Sequence, residues 1–212
     1  MKLIPAVVLL YAPAIASAQS LDLDTPLSSH AVIQRDRPFP ISGQAAPGSK
    51  VTVTIGRESH SANADEQGHW QVTLTPRGAG GPYIVELRSG TESMRLDDIM
   101  VGDVWLCSGQ SNMEFTLRHA TNSDGEVAGA ANSMLRLLNV PRQSSPQPQR
   151  HFSAPAAWQR STPASAADFS AACFIMGREL QSHQQIPIGL VDRKSTRLNS
   201  SHTDISRMPS SA

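Results

Sequence analysis

Ser111 is the residue whose surroundings in the sequence favour reactivity. It stands in Ser108-Gly109-Gln110-Ser111-Asn112-Met113, directly after the apolar run Val104-Trp105-Leu106-Cys107 and before Glu114 to Ala120, which is compatible with a helix. That is a strand, a tight turn and a helix in succession, with Gly109 permitting the sharp turn. A serine at such a junction exposes its hydroxyl where open α/β sheets take their ligands, at the carboxyl ends of the strands. The backbone N–H groups of the following helical turn point at any negative charge developing there. The chemistry would be nucleophilic attack by the serine oxygen. Met113 occupies the place of the second glycine in a G-x-S-x-G elbow, so the motif is a different one. Spacing alone supports a plain helix cap at Ser108 or Ser111 no less than a nucleophile.

No partner for that serine is evident nearby. His119 lies eight residues on, about 12 Å along a helix at 1.5 Å per residue, beyond hydrogen-bond reach. His151 falls in a polar loop and His183 at a helix end, both read as solvated. Glu114 shares the helix face of Ser111 and is read as serving the helix N-terminus, without a catalytic role. Cys107 and Cys173 follow or sit within apolar patterns and are expected as two buried thiols rather than a bridge. No Cys/His cluster has ligand spacing, so neither a structural zinc nor any other metal or cofactor is predicted.

The elements that must position Ser111 change character along the chain. From Leu21 to about Leu96, short alternating runs such as Val51–Ile55, Trp70–Leu74 and Tyr83–Leu87 are separated by turn residues, the pattern of a small β-sandwich. Weaker strands are expected at Ala31–Gln34 and Phe39–Ile41, the second holding a proline suited to an edge position. From Asp98 the runs Ile99–Val101 and Val104–Cys107 lack polar alternation and predict strands covered on both faces. A further strand is expected from Met134 to Val140, a surface loop from Pro141 to Pro163, and an amphipathic helix from about Ala166 to Gln184 carrying Phe169, Cys173, Met176 and Leu180 on one face. The strand Ile186 to Val191 then completes a strand-helix-strand order, which implies a parallel α/β sheet.

Composition narrows the class. Eighteen Lys+Arg balance eighteen Asp+Glu in 212 residues, so no polyanionic partner such as nucleic acid is expected. The apolar content is 39% with no run long enough for a membrane-spanning helix, so the mature chain is expected to be soluble, with no membrane association after signal cleavage. Lys2, the apolar stretch Leu3 to Ile15 and Ala16-Ser17-Ala18 form an export signal, with cleavage expected after Ala18 and release to the periplasm or medium. Residues 193–212 are rich in Ser and Thr without apolar period. They read as a non-native or disordered tail with the character of translated foreign sequence, and His202 and Asp204 are assigned no function. The expected division is therefore a signal (1–18), a β-sandwich domain (19–97), a partial α/β domain (98–192) and the tail.

The run Asp103-Val104-Trp105-Leu106-Cys107-Ser108-Gly109-Gln110-Ser111-Asn112-Met113-Glu114-Phe115 closely resembles the first block of the sialate O-acetylesterase family, SGNH-type serine esterases. The likeness extends back through Gln34-Arg35-Asp36-Arg37-Pro38, Ala46-Pro47-Gly48 and Gly68-His69-Trp70. It extends forward through Ala157-Trp158, Phe169-Ser170-Ala171 and Gly177-Arg178-Glu179-Leu180 to Pro187-Ile188-Gly189-Leu190-Val191. The resemblance implies an incomplete SGNH, flavodoxin-like hydrolase domain in which Ser111 attacks acetyl esters on sugar hydroxyls and its backbone N–H supplies one oxyanion donor. It also implies later blocks, including an Asp-x-x-His carrying the base, and these do not follow Val191. An inactive fragment of an acetylesterase is expected, acting in its complete form on sialic acid or other acetylated sugars. The competing expectation is a secreted, non-catalytic carbohydrate-binding β-sandwich module, for which no cluster of exposed aromatics speaks.

Overall fold

The computed structural model describes residues 20–194, apart from 110, 143, 144 and 148. The expected signal segment and the tail from 195 onward lie outside the described residues. The chain runs through β1 (Asp22–Leu23), β2 (Val32–Gln34), β3 (Phe39–Gln44), β4 (Lys50–Ile55), β5 (Glu58–Asn63), β6 (His69–Leu74) and β7 (Gly80–Ser89) into β8 (Glu92–Gly109). Beyond it come α1 (Ser111–Glu114), a 3-10 turn at Leu117–His119, α2 (Ser123–Ala128), β9 (Asn132–Asn139), β10 (Gln159–Ser161), α3 (Pro163–Ala167), α4 (Ala171–Gln184) and β11 (Ile188–Lys194).

Alternation decides the first half. Val51, Val53 and Ile55 of β4 and Trp70, Val72 and Leu74 of β6 are buried while their neighbours are not, so each strand gives one face to a common core. β1, β3 and β6 form one antiparallel sheet, and β4, β5 and β7 with the first half of β8 belong to a second. Residues of both sheets, among them Ile41, Trp70, Val85, Leu87 and Ile99, share one apolar cluster. Pro40 lies in the middle strand of its sheet, but at a position where only β6 pairs, since β1 reaches no further than Gln44 and Gly43. The proline therefore costs no ladder bond on the open side.

β8 is one strand of eighteen residues where two separate runs were expected. Its first half pairs antiparallel with β7, Met100–Gly102 pair with β2, and Asp103–Gly109 run parallel to β11, which is in turn parallel to β9. A parallel three-stranded unit, β9-β11-β8, thus continues directly out of the β-rich half. α4 lies over β11 and β9, with Phe174 and Cys173 buried against Leu135, Leu137, Ile188 and Leu190. Gly177 makes this close approach possible, because a Cβ there would run into the Leu190 side chain.

Several expectations are corrected. Val104–Cys107 is not covered on both faces: Trp105 is 41% and Leu106 66% exposed, because over Asp103–Gly109 β8 has only β11 beside it among the described residues. The helix expected from Glu114 to Ala120 stops at Glu114. There the Phe115 carbonyl accepts from Ala171 N–H and the Phe169 carbonyl accepts from Leu117 N–H, so bonds to the segment before α4 replace helical ones. The helix expected from Ala166 divides in two, since Ser170 caps α4 afresh by accepting from Cys173 N–H. The loop Pro141–Pro163 contains β10, and β11 continues through Arg193 and Lys194, paired with Ser108 and Gly109.

The junction between the halves holds a buried charge cluster. Asp98, in the left-handed region at φ 58°, accepts from Arg136 at 3.1 Å and Arg160 at 2.7 Å and faces His30 Nδ1 at 2.8 Å. Arg136 is 2% exposed and Asp98 is the acidic partner of its guanidinium.

Candidate active site

Ser111 opens α1 at the carboxyl end of β8 and its side chain is exposed. Being the first helical residue, it lies inside the turn and not before it, and its carbonyl accepts from Phe115 N–H at 3.3 Å. The turn that carries it is held from beneath. Cys107, four residues earlier, is joined by a disulfide to Cys173 in the first turn of α4, where two free thiols were expected. The two positions looked unrelated because they lie 66 residues apart, and only the parallel pairing brings α4 over the end of β8.

Two more groups fix the same turn, and sequence reasoning missed both. Asp192 is 1% exposed near the end of β11, in register with Cys107, and its Oδ2 accepts from Ser170 N–H at 3.2 Å. Ser170 Oγ in turn lies 3.7 Å from Met113 Sδ. A carboxylate at the end of an apolar run reads as the start of a loop, so only its pairing reveals a buried role. The Ser-Ala-Ala start of α4 was the available signal for the cap.

Glu114 makes an ion pair with Arg142 at 2.7 Å, tying α1 to the segment after β9. The described histidines lie elsewhere: His119 Nδ1 meets Thr116 Oγ1 at 2.9 Å, His151 Nε2 meets Asp22 at 3.2 Å, and His183 is exposed in the last turn of α4. His30, His60 and His69 face Asp98, Glu58 and Asp65. Among the described residues no group of three or more His, Cys, Asp and Glu could hold a metal ion, and no helix is long and apolar enough to cross a membrane.

The arrangement presents a serine hydroxyl and a helix start at the mouth of a parallel sheet, backed by a disulfide and a buried carboxylate. Against known proteins, the chain is 35% identical to the sialate O-acetylesterase of Pongo abelii and 34% to that of Homo sapiens, in each case over 71% of this chain. It spans about a third of the length of these curated relatives, 32% of each. A crystal structure of a carbohydrate acetylesterase from Xanthomonas citri matches with a TM-score of 0.80 at 35% identity, covering 83% of this chain and 40% of that one. No protein-family profile matches. The chain is thus a homologue of the sialate O-acetylesterases, and its fold is that of part of a carbohydrate acetylesterase.

Proposed function

We propose that Ser111 is the nucleophile of an exported serine esterase that removes O-acetyl groups from sialic acid or other acetylated sugars. The observation that carries this reading is the exposed Ser111 at the carboxyl end of β8, within the block that resembles the acetylesterases. Ser111 Oγ attacks the acetyl carbonyl while a histidine base removes its proton. The tetrahedral oxyanion is received by the Ser111 backbone N–H and further donors. The sugar oxygen leaves with the proton, and water then releases acetate from the acetyl-enzyme.

Base, orienting carboxylate and remaining donors are assigned to parts of the longer relatives that this chain does not span. On this reading residues 19–97 act as a β-sandwich domain, residues 98–192 as part of an SGNH hydrolase domain, and the 212-residue chain by itself is inactive or nearly so. The test is the protein expressed at the full length of its relatives, with and without Ser111→Ala. It should release acetate from 4-nitrophenyl acetate and from O-acetylated sialic acid, and the variant should lose at least about a thousandfold in kcat. A Ser111→Ala protein of undiminished activity would overturn the assignment.

A further inference from the structure

We infer that the open pocket beside the end of β9 is the sugar subsite of this esterase, taking one pyranose ring through its hydroxyls and an apolar face. The inference rests on the esterase reading and adds where the sugar sits. The pocket has a volume of about 290 Å³, near the lower end of ligand-site sizes and suited to a single ring. Its wall includes Thr25 from the first half of the chain and Gln147, Gln149, His151 and Phe152 from the segment after β9, so it lies where the two halves meet.

Its chemistry suits a sugar. Half-buried Phe152 offers an apolar surface, and around it stand hydrogen-bonding groups, among them Thr25, Ser145, Gln147 and Gln149. The Gln147 side-chain amide makes no hydrogen bond with any described residue, while its backbone is held by Ser145 and Gln149. The Thr25 hydroxyl donates to the Arg150 carbonyl and keeps its acceptor capacity. Arg193, near the end of β11, also lines the pocket and is a cationic group in its wall.

Position suits the reaction. β11 lies between β9 and β8, so at about 5 Å per strand the end of β9 is roughly 10 Å from the turn bearing Ser111. That is the reach of a ring and its acetyl arm. The Glu114–Arg142 ion pair links the helix of the nucleophile to the segment that forms the pocket.

The experiment uses the 212-residue chain, with saturation-transfer NMR and titration of backbone amide shifts. Methyl glucopyranoside is the neutral probe and N-acetylneuraminate the acidic one. Transfer to either ring is expected, with shifts at Thr25, Gln149 and His151, and the better probe identifies the sugar class. Gln147→Ala should weaken binding at least fivefold without changing the melting temperature, and Gly78→Val, remote from the pocket wall, should leave binding intact. No transfer to either probe, or binding undiminished in Gln147→Ala, overturns the subsite. Serine-dependent acetate release by the longer protein is scored separately, so either reading can fail while the other stands.

Discussion

Cys107 and Cys173 are bonded with their Cα atoms 5.9 Å apart, which locks the end of strand β8 to the first turn of α4, four residues before Ser111. The closed loop spans 66 residues, and chain entropy for such a loop amounts to about 4 kcal/mol. Cys107→Ala with Cys173→Ala should lower the unfolding free energy by about that much in denaturant titrations. Hydrogen exchange should quicken at 111–117. An unchanged midpoint would show that the bridge contributes no stability.

Asp98 is the pivot of the junction between the halves. Burial opposes its ionisation, but hydrogen bonds from Arg160 and His30 and the charges of Arg136 and Arg160 overcome this and hold its carboxyl below the ordinary range. A carboxyl with a native pKa below its unfolded value of about 4 stabilises the fold above that pH and ceases to do so as protons bind below it. Asp98→Asn keeps a residue tolerant of the left-handed backbone. It should cost about 3 kcal/mol at pH 7, because the buried Arg136 loses its counter-charge. It should also flatten the loss of stability between pH 4 and lower values, as followed by urea titration across pH.

Gly177 tests the packing of α4 on the parallel strands. Gly177→Val pushes a branched side chain into Leu190 and should destabilise by about 2 kcal/mol. Gly78→Val, with nothing within 4 Å of the added Cβ, should change stability by no more than about 0.5 kcal/mol. Equal melting temperatures for the two variants would contradict the close approach.

Beyond Gly102 one side of β8 is unpaired among the described residues, and Trp105 and Leu106 are exposed there. An apolar strand with an unpaired edge invites association. The 212-residue chain should sediment as a mixture of oligomers, and Leu106→Lys should shift it toward monomer. A monodisperse wild-type monomer at high concentration would contradict this.

What the residues disclosed about the fold follows from where the periodic signals were local. β4 and β6 alternate so regularly that their buried faces were legible, and the apolar run at Ile188–Leu190 identified a strand of the parallel sheet. β5, with the sequence Glu-Ser-His-Ser-Ala-Asn, has no apolar alternation and forms because β4 offers it an edge. The short α1 and the early end of the expected helix were illegible because Phe115 and Leu117 bond to residues more than fifty positions away. Around the candidate nucleophile, the strand and short helix that flank Ser111 were legible. The disulfide, Asp192 and the Glu114–Arg142 pair were not, since each depends on which strands lie side by side.

The uninterrupted course of β8 from Glu92 to Gly109 has a consequence for how this architecture could be dismantled. A cut near residue 98 severs a backbone whose upstream half is clasped by β7 and whose downstream half bears the serine turn. The front portion thus shares its last strand with the segment that carries the serine turn. Any scheme that shuffles the two portions between proteins must carry the whole strand with one of them.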